Sequence, residues 1–127
     1  MYIKSWGSRG SIPVSGTQYL KYGGDTTCIE IRTKSGDIII VDAGTGIRRL
    51  GNQLIEENLY KYNFIFTHAN WDHLMGFPFF KPLYFTQSEL SMHRCPFDSD
   101  FVATILSKVM SPPNFPVKYD EIGRAHV

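Results

Sequence analysis

Residues Phe64 to Phe80 read FIFTHANWDHLMGFPFF. An apolar, strand-like run breaks into His68, Asn70, Asp72 and His73, four side chains able to face a metal ion. Imidazole and carboxylate suit zinc, manganese or iron, and composition does not choose among them. Asn70 is the poor donor of the set, because an amide oxygen is neutral and weakly donating. In an extended segment leaving a strand, residues two apart point the same way, so His68 and Asn70 can face one ion. Asp72 and His73 are adjacent and can reach a common site only through a turn, which would set them on a second ion beside the first. Two divalent ions ~3.5–4 Å apart can clamp the attacking and leaving oxygens of a hydrolytic displacement. The bland alternative is a polar loop that holds two histidines and an aspartate and binds nothing.

These residues need elements to position them. YIKSW at the start is expected as a short strand, followed by a glycine-punctuated loop. TTCIEIRT alternates, which predicts a half-exposed strand with Ile29 and Ile31 on one face and Glu30 and Arg32 on the other. Ser35 to Asp37 supplies a tight turn into IIIV, a continuous β-branched run expected to be buried on both faces. The two strands form a hairpin. Asp42 ends the second strand, and Ile47, Leu50 and Leu54 then fall at helical spacing, with Gly51 weakening the helix. YNFIF is the strand that delivers His68, and ELSMHR is a further strand. DSDFVATILSKVM predicts an amphipathic helix with Phe101, Ile105 and Val109 on one stripe and Asp98 or Ser99 as its N-cap. The prolines of SPPNFPV end it. This order predicts the α/β class, with helices covering a largely buried sheet.

Composition narrows the partners. A net charge of +1 argues against an electrostatically driven nucleic-acid or membrane partner. Small anionic substrates stay open, because they need local cations only; nucleic acid stays open but without support from charge. The apolar runs fall far short of the ~20 residues a membrane span requires. Cys28 and Cys95 form no CxxC pair and no secretory leader is recognisable, so reduced thiols and a cytoplasmic location are expected. Both cysteines read as buried small hydrophobes. Trp71 and the cluster of Phe77, Phe79 and Phe80 read as core beneath the loop, and His93 as an ordinary, partly exposed histidine. GSRGS has no following helix, so a P-loop is not supported, and Arg9 within it reads as a solvated side chain. Nothing in the sequence sets the oligomeric state.

The last residues, EIGRAHV, match the translation of GAG-ATC-GGA-AGA-GCA-CAC-GTC, the sequence of a library adapter that continues into a stop codon. Residues 121–127 are therefore expected to be a non-native tail after a partial domain at 1–120, and His126 is not counted as a ligand.

THANWDH resembles the HxHxDH motif of the metallo-β-lactamase superfamily, with an apolar strand before it and GFPFF after it. Upstream, IIIVDAGTGIRRLG resembles that superfamily's strand-ending Asp-x-Gly motif. The opening GSRGSIPVSG…YGGDTTCIEIRT is similar to the branch holding tRNA 3′-end processing endonucleases and cyclic phosphodiesterases, and MSPPNFPV to a segment of bacterial members of that branch. The likeness runs from about Met1 to Asp120 with the motifs in order.

This resemblance implies the N-terminal half of an αββα sandwich, truncated before its second half. It implies that His68 is a ligand of the first metal, and that Asp72 and His73 are ligands of the second, with Asp72 also orienting the nucleophile. Asn70 stands where the family places a second histidine for the first metal. Asp42 would sit behind the ligands and accept hydrogen bonds that hold the loop. Its other reading is the cap of the helix beginning near Thr45. The implied cofactor is a pair of zinc ions, with manganese or iron as alternatives. The implied activity of the intact parent is phosphodiester hydrolysis by a metal-bound hydroxide, on a small-molecule or nucleotide-like substrate. The 127-residue chain alone is expected to be inactive, because the family's further ligands would lie downstream. Another ester, thioester or lactam hydrolase is the alternative on the same fold. So is a non-catalytic binding domain whose first metal site has decayed through Asn70.

Overall fold

The paired strands at the start of the chain fix one end of a mixed sheet, shown in a computed structural model that describes residues 1–67, 70–93, 104–108, 110 and 124–126. Tyr2–Gly7 (β1) runs antiparallel to Cys28–Arg32 (β2), which in turn forms the expected hairpin with Ile38–Val41 (β3). Lys61–Ile65 (β4) lies parallel to β3, and Glu89–His93 (β5) lies parallel to β4. Arg124–His126 (β6) pairs parallel with β5 at the far edge, so the strand order follows the sequence. That last pairing falls within the segment expected to be a non-native tail. Main-chain ladder bonds depend little on side-chain identity, so a short foreign segment can occupy an open edge as well as a native one.

Helix Ile47–Glu56 (α1) connects β3 to β4 and lays Ile47, Leu50 and Leu54, all fully buried, on the sheet. Gly51 sits where a Cβ would stand 2.9 Å from Pro82 Cδ and 3.0 Å from Phe80 Cδ1, so its helix-weakening backbone is offset by close packing of the following chain. Tyr62 and Phe64 of β4 meet Phe80 edge-on at 5.2 and 5.6 Å, and Phe64 meets Phe77 at 5.6 Å. Aromatic pairs in this geometry add to the area they remove from water. Leu74, Leu83 and Leu90 close the same core.

The hairpin departs from the expected pattern. On β2 the buried residues are Cys28 and Glu30, both at 0% exposure, whereas Ile29 and Ile31 are only half-buried. The charge is accommodated because Trp6 Nε1 donates to Glu30 at 3.0 Å and Arg32 Nε donates at 2.7 Å. β3 is likewise one-sided: Ile38 and Ile40 are buried, Ile39 and Val41 half-buried. The sheet thus has a core face under α1 and a second, β-branched face on which Ile3 and Ile65 are exposed.

The aromatic cluster departs from expectation in part. Phe77 and Phe80 are core residues, but Trp71 and Phe79 are 45% and 59% exposed. Residues 104–108 are helical; the described buried positions there are Leu106 and Met110, with Ile105 packed against them, while Phe101 and Val109 of the expected stripe lie outside the described residues. Arg9 places its guanidinium 4.9 Å from the Tyr19 ring. Among the described residues, no helix is long and apolar enough to cross a membrane.

Candidate functional site

β3 continues one ladder bond past its end, with Asp42 N–H donating to Ile65 O at 2.9 Å, and then turns sharply. Asp42 has φ +63°, the left-handed region that costs most residues about 1–2 kcal/mol and that aspartate tolerates better than others. The turn swings its carboxylate toward the end of β4. There Oδ1 accepts the Thr67 N–H at 2.8 Å, and Oδ2 accepts the Thr67 hydroxyl at 2.7 Å and His73 Nδ1 at 2.8 Å. Only 1% of Asp42 is exposed, so these donors replace the water that its charge has lost. An ionised carboxylate only accepts, which places the imidazole hydrogen on Nδ1. Asp42 does not cap the helix: α1 starts after Gly46, which makes no side-chain cap bond.

Asn70 enters the next turn in extended conformation, and Trp71–His73 close a single 3-10 turn in which His73 N–H donates to Asn70 O at 2.9 Å. The turn is what brings neighbouring residues to one place. Asp72 Oδ2 and His73 Nε2 are 3.4 Å apart, with side chains 14% and 16% exposed. A second loop reaches this pair. Ser11, itself at φ +68°, donates its N–H to Asp72 Oδ2 at 3.0 Å across 61 positions of sequence.

The structure therefore brings Asp42, Asp72 and His73 together. Asn70 is exposed at the mouth of the turn, and His68 lies outside the described residues. Two donors on a tetrahedral zinc, each at ~2.0–2.2 Å, stand roughly 3.3–3.5 Å from one another. The separation of Asp72 and His73 fits that requirement. Among the described residues, no group of three or more histidine, cysteine or acidic side chains is placed to hold an ion. Asp42 is not a third donor, because it engages the opposite nitrogen of the imidazole.

The loop 42–46 is braced by residues that sequence reasoning passed over. Ala43 N–H donates to His73 O at 2.7 Å, and Gly76 N–H donates to Ala43 O at 2.9 Å. A Cβ on Gly44 would collide with Thr26, and one on Gly76 would collide with the Gly44 carbonyl, so both glycines are needed for backbone contact. Thr26 and Thr45 exchange hydrogen bonds, each main-chain N–H donating to the other's hydroxyl at 2.9 and 2.8 Å. The available signal was the glycine spacing in DAGTG; the threonine partnership spans the hairpin and has no local trace.

No protein-family model matches the chain, and no curated protein matches it.

Proposed function

We propose that this chain carries part of a metal-dependent hydrolase of the metallo-β-lactamase superfamily, whose intact form cleaves phosphodiester bonds. The observation that supports this reading best is the order Asp42–His73–Asp72. A carboxylate takes the imidazole Nδ1 hydrogen at 2.8 Å, and the opposite nitrogen faces a second carboxylate at 3.4 Å. Metal-ligating histidines are held in this manner: the partner behind the ring fixes tautomer and orientation, and raises ligand basicity.

His73 and Asp72 would hold one ion, His68 with Asn70 the other, and the remaining ligands would come from a longer parent chain. Bound divalent ions would lower the pKa of water and neutralise charge on the group being cleaved. The protein's own contribution is positioning. Asp42 holds the His73 ring and, through Thr67, the strand end that leads to His68. The Ser11 amide holds Asp72 Oδ2, the oxygen that faces His73 Nε2, and so fixes its place beside the imidazole. The β-branched face carrying Ile29, Ile31, Ile39 and Val41, with Ile3 and Ile65 exposed, suits a sheet that a second half would cover. The α/β class is plain from the sheet and helix; the half-sandwich is part of the proposal.

A second reading rests on Asn70. An amide in place of imidazole weakens the first site, which favours a binding domain that has lost turnover. Changing Asn70→His and titrating zinc by calorimetry tests the ligand assignment. A gain of about tenfold or more in affinity is expected; equal affinity in the two forms would remove position 70 from the site.

A further inference from the structure

We infer that Thr26 and Thr45 are a positioning pair for His73, acting through the left-handed turn at Asp42; this rests on the reading of His73 as a ligand. Asp42 reaches the imidazole only while its backbone stays at φ +63°, a conformation that must be imposed from outside. The segment that imposes it is short. It is anchored at one end by the ladder bond from Asp42 N to Ile65 O and at the other by Thr45.

The Thr45 anchor has a defined polarity. A hydroxyl has one hydrogen to give and lone pairs to accept with. Thr45 Oγ1 gives its hydrogen to Asp25 Oδ1 at 3.0 Å, which leaves its lone pairs for the Thr26 N–H at 2.9 Å. Thr26 Oγ1 returns the contact by accepting the Thr45 N–H at 2.8 Å. Asp25 is itself held, by Arg49 Nε at 3.1 Å, and Arg49 Nη2 is tied to Trp6 O at 2.8 Å. Thr26 is fully buried, so water cannot replace its part of the exchange. Between the two anchors, Gly44 N–H donates to Thr27 O at 2.8 Å and the Ala43 peptide is bonded on both sides to the turn carrying His73. Displacing Thr45 therefore displaces Ala43, and with it both the main chain and the side-chain partner of His73.

The test uses the full chain, isotopically labelled and metal-free, and follows the His73 Nδ1 hydrogen by nuclear magnetic resonance. Thr45→Ser keeps the hydroxyl and should preserve a slowly exchanging Nδ1–H. Thr45→Val keeps the shape without the hydroxyl, and should speed that exchange by about tenfold or more while the spectrum stays dispersed. A folded Thr45→Val protein with wild-type Nδ1–H exchange would overturn the inference. Should the valine variant not fold, the wild-type protein decides. The amides of Thr26, Thr45, Ala43 and Gly76 should exchange at one common rate, whereas Thr26 and Thr45 exchanging more than about tenfold faster than the other two would show that the pair is uncoupled. No metal enters these readouts, so failure of the pairing is distinct from failure of the hydrolase reading.

Discussion

His73 donates its Nδ1 hydrogen to Asp42 Oδ2 across 2.8 Å, although 31 positions separate them, and the same carboxylate holds both donors of Thr67. Substitutions at Asp42 separate its backbone from its side chain. Asp42→Ala strands buried donors and adds left-handed strain, so a loss of about 3–4 kcal/mol is expected in denaturant melts. Asp42→Gly strands the same donors without the strain and should recover about 1 kcal/mol of that. Asp42→Asn keeps an acceptor and tolerates the conformation, for a loss of about 1–2 kcal/mol. Equal stability of the alanine and glycine forms would show that the φ value of Asp42 carries no strain.

Gly44 and Gly76 are in backbone contact, with the Gly44 carbonyl occupying the space a Cβ on Gly76 would need. Gly76→Ala and Gly44→Ala should each cost about 2–3 kcal/mol or more by forcing backbone movement. Gly10, around which an added Cβ meets nothing, is the control: Gly10→Ala should stay within about 0.5 kcal/mol of wild type. Thermal melts of the three variants check this ordering.

Much of the fold was legible from local pattern, and the misreadings share a cause. The strand runs, the hairpin and α1 follow from apolar periodicity, and the adjacency of Asp72 and His73 correctly demanded a turn. Which face of β2 is buried could not be read from polarity, because Glu30 is made buriable by Trp6 and Arg32, and Trp6 lies 24 residues away. IIIV looks the same whether one face or both are covered. Asp42 resembles a helix cap in sequence, and only its positive φ turns it away from α1 toward Thr67 and His73. Ser11 could not be foreseen, since a main-chain amide leaves no mark on residue identity.

Acid should weaken the clasp between β2 and the end of α1. Gln53 Nε2 donates to Glu57 at 2.9 Å and, against the opposing effect of burial, Arg32 Nη2 adds a contact at 2.6 Å; together they hold the Glu57 carboxyl below its ordinary range. A lowered folded-state pKa contributes stability above the unfolded value, and that contribution is lost as pH falls through the folded value. Both partners are solvent-accessible, so the contribution is about 0.5 kcal/mol or less. Urea melts of wild type and Glu57→Gln should differ by this amount at neutral pH and converge below the usual glutamate range. A difference that grows on acidification contradicts the sign.

Cys28 is fully buried, and burial, with added repulsion from Asp42, Glu30 and Asp25, pushes its thiol far above the usual range. In a Cys95→Ser background, alkylation of Cys28 at pH 8 should proceed only through opening of the core, and so accelerate with denaturant. Labelling as fast as that of a free thiol without denaturant would place Cys28 at the surface.

The central claim is that Asp72 and His73 share a cation, with Asp42 holding the ring from behind. Zinc titrated into the Asn70→His chain, with histidine nitrogens followed by nuclear magnetic resonance, tests it most directly. The account predicts a large shift at His73 Nε2, a retained hydrogen on Nδ1, and loss of the shift in Asp72→Asn. Saturating zinc that leaves both His73 nitrogens unmoved would contradict it.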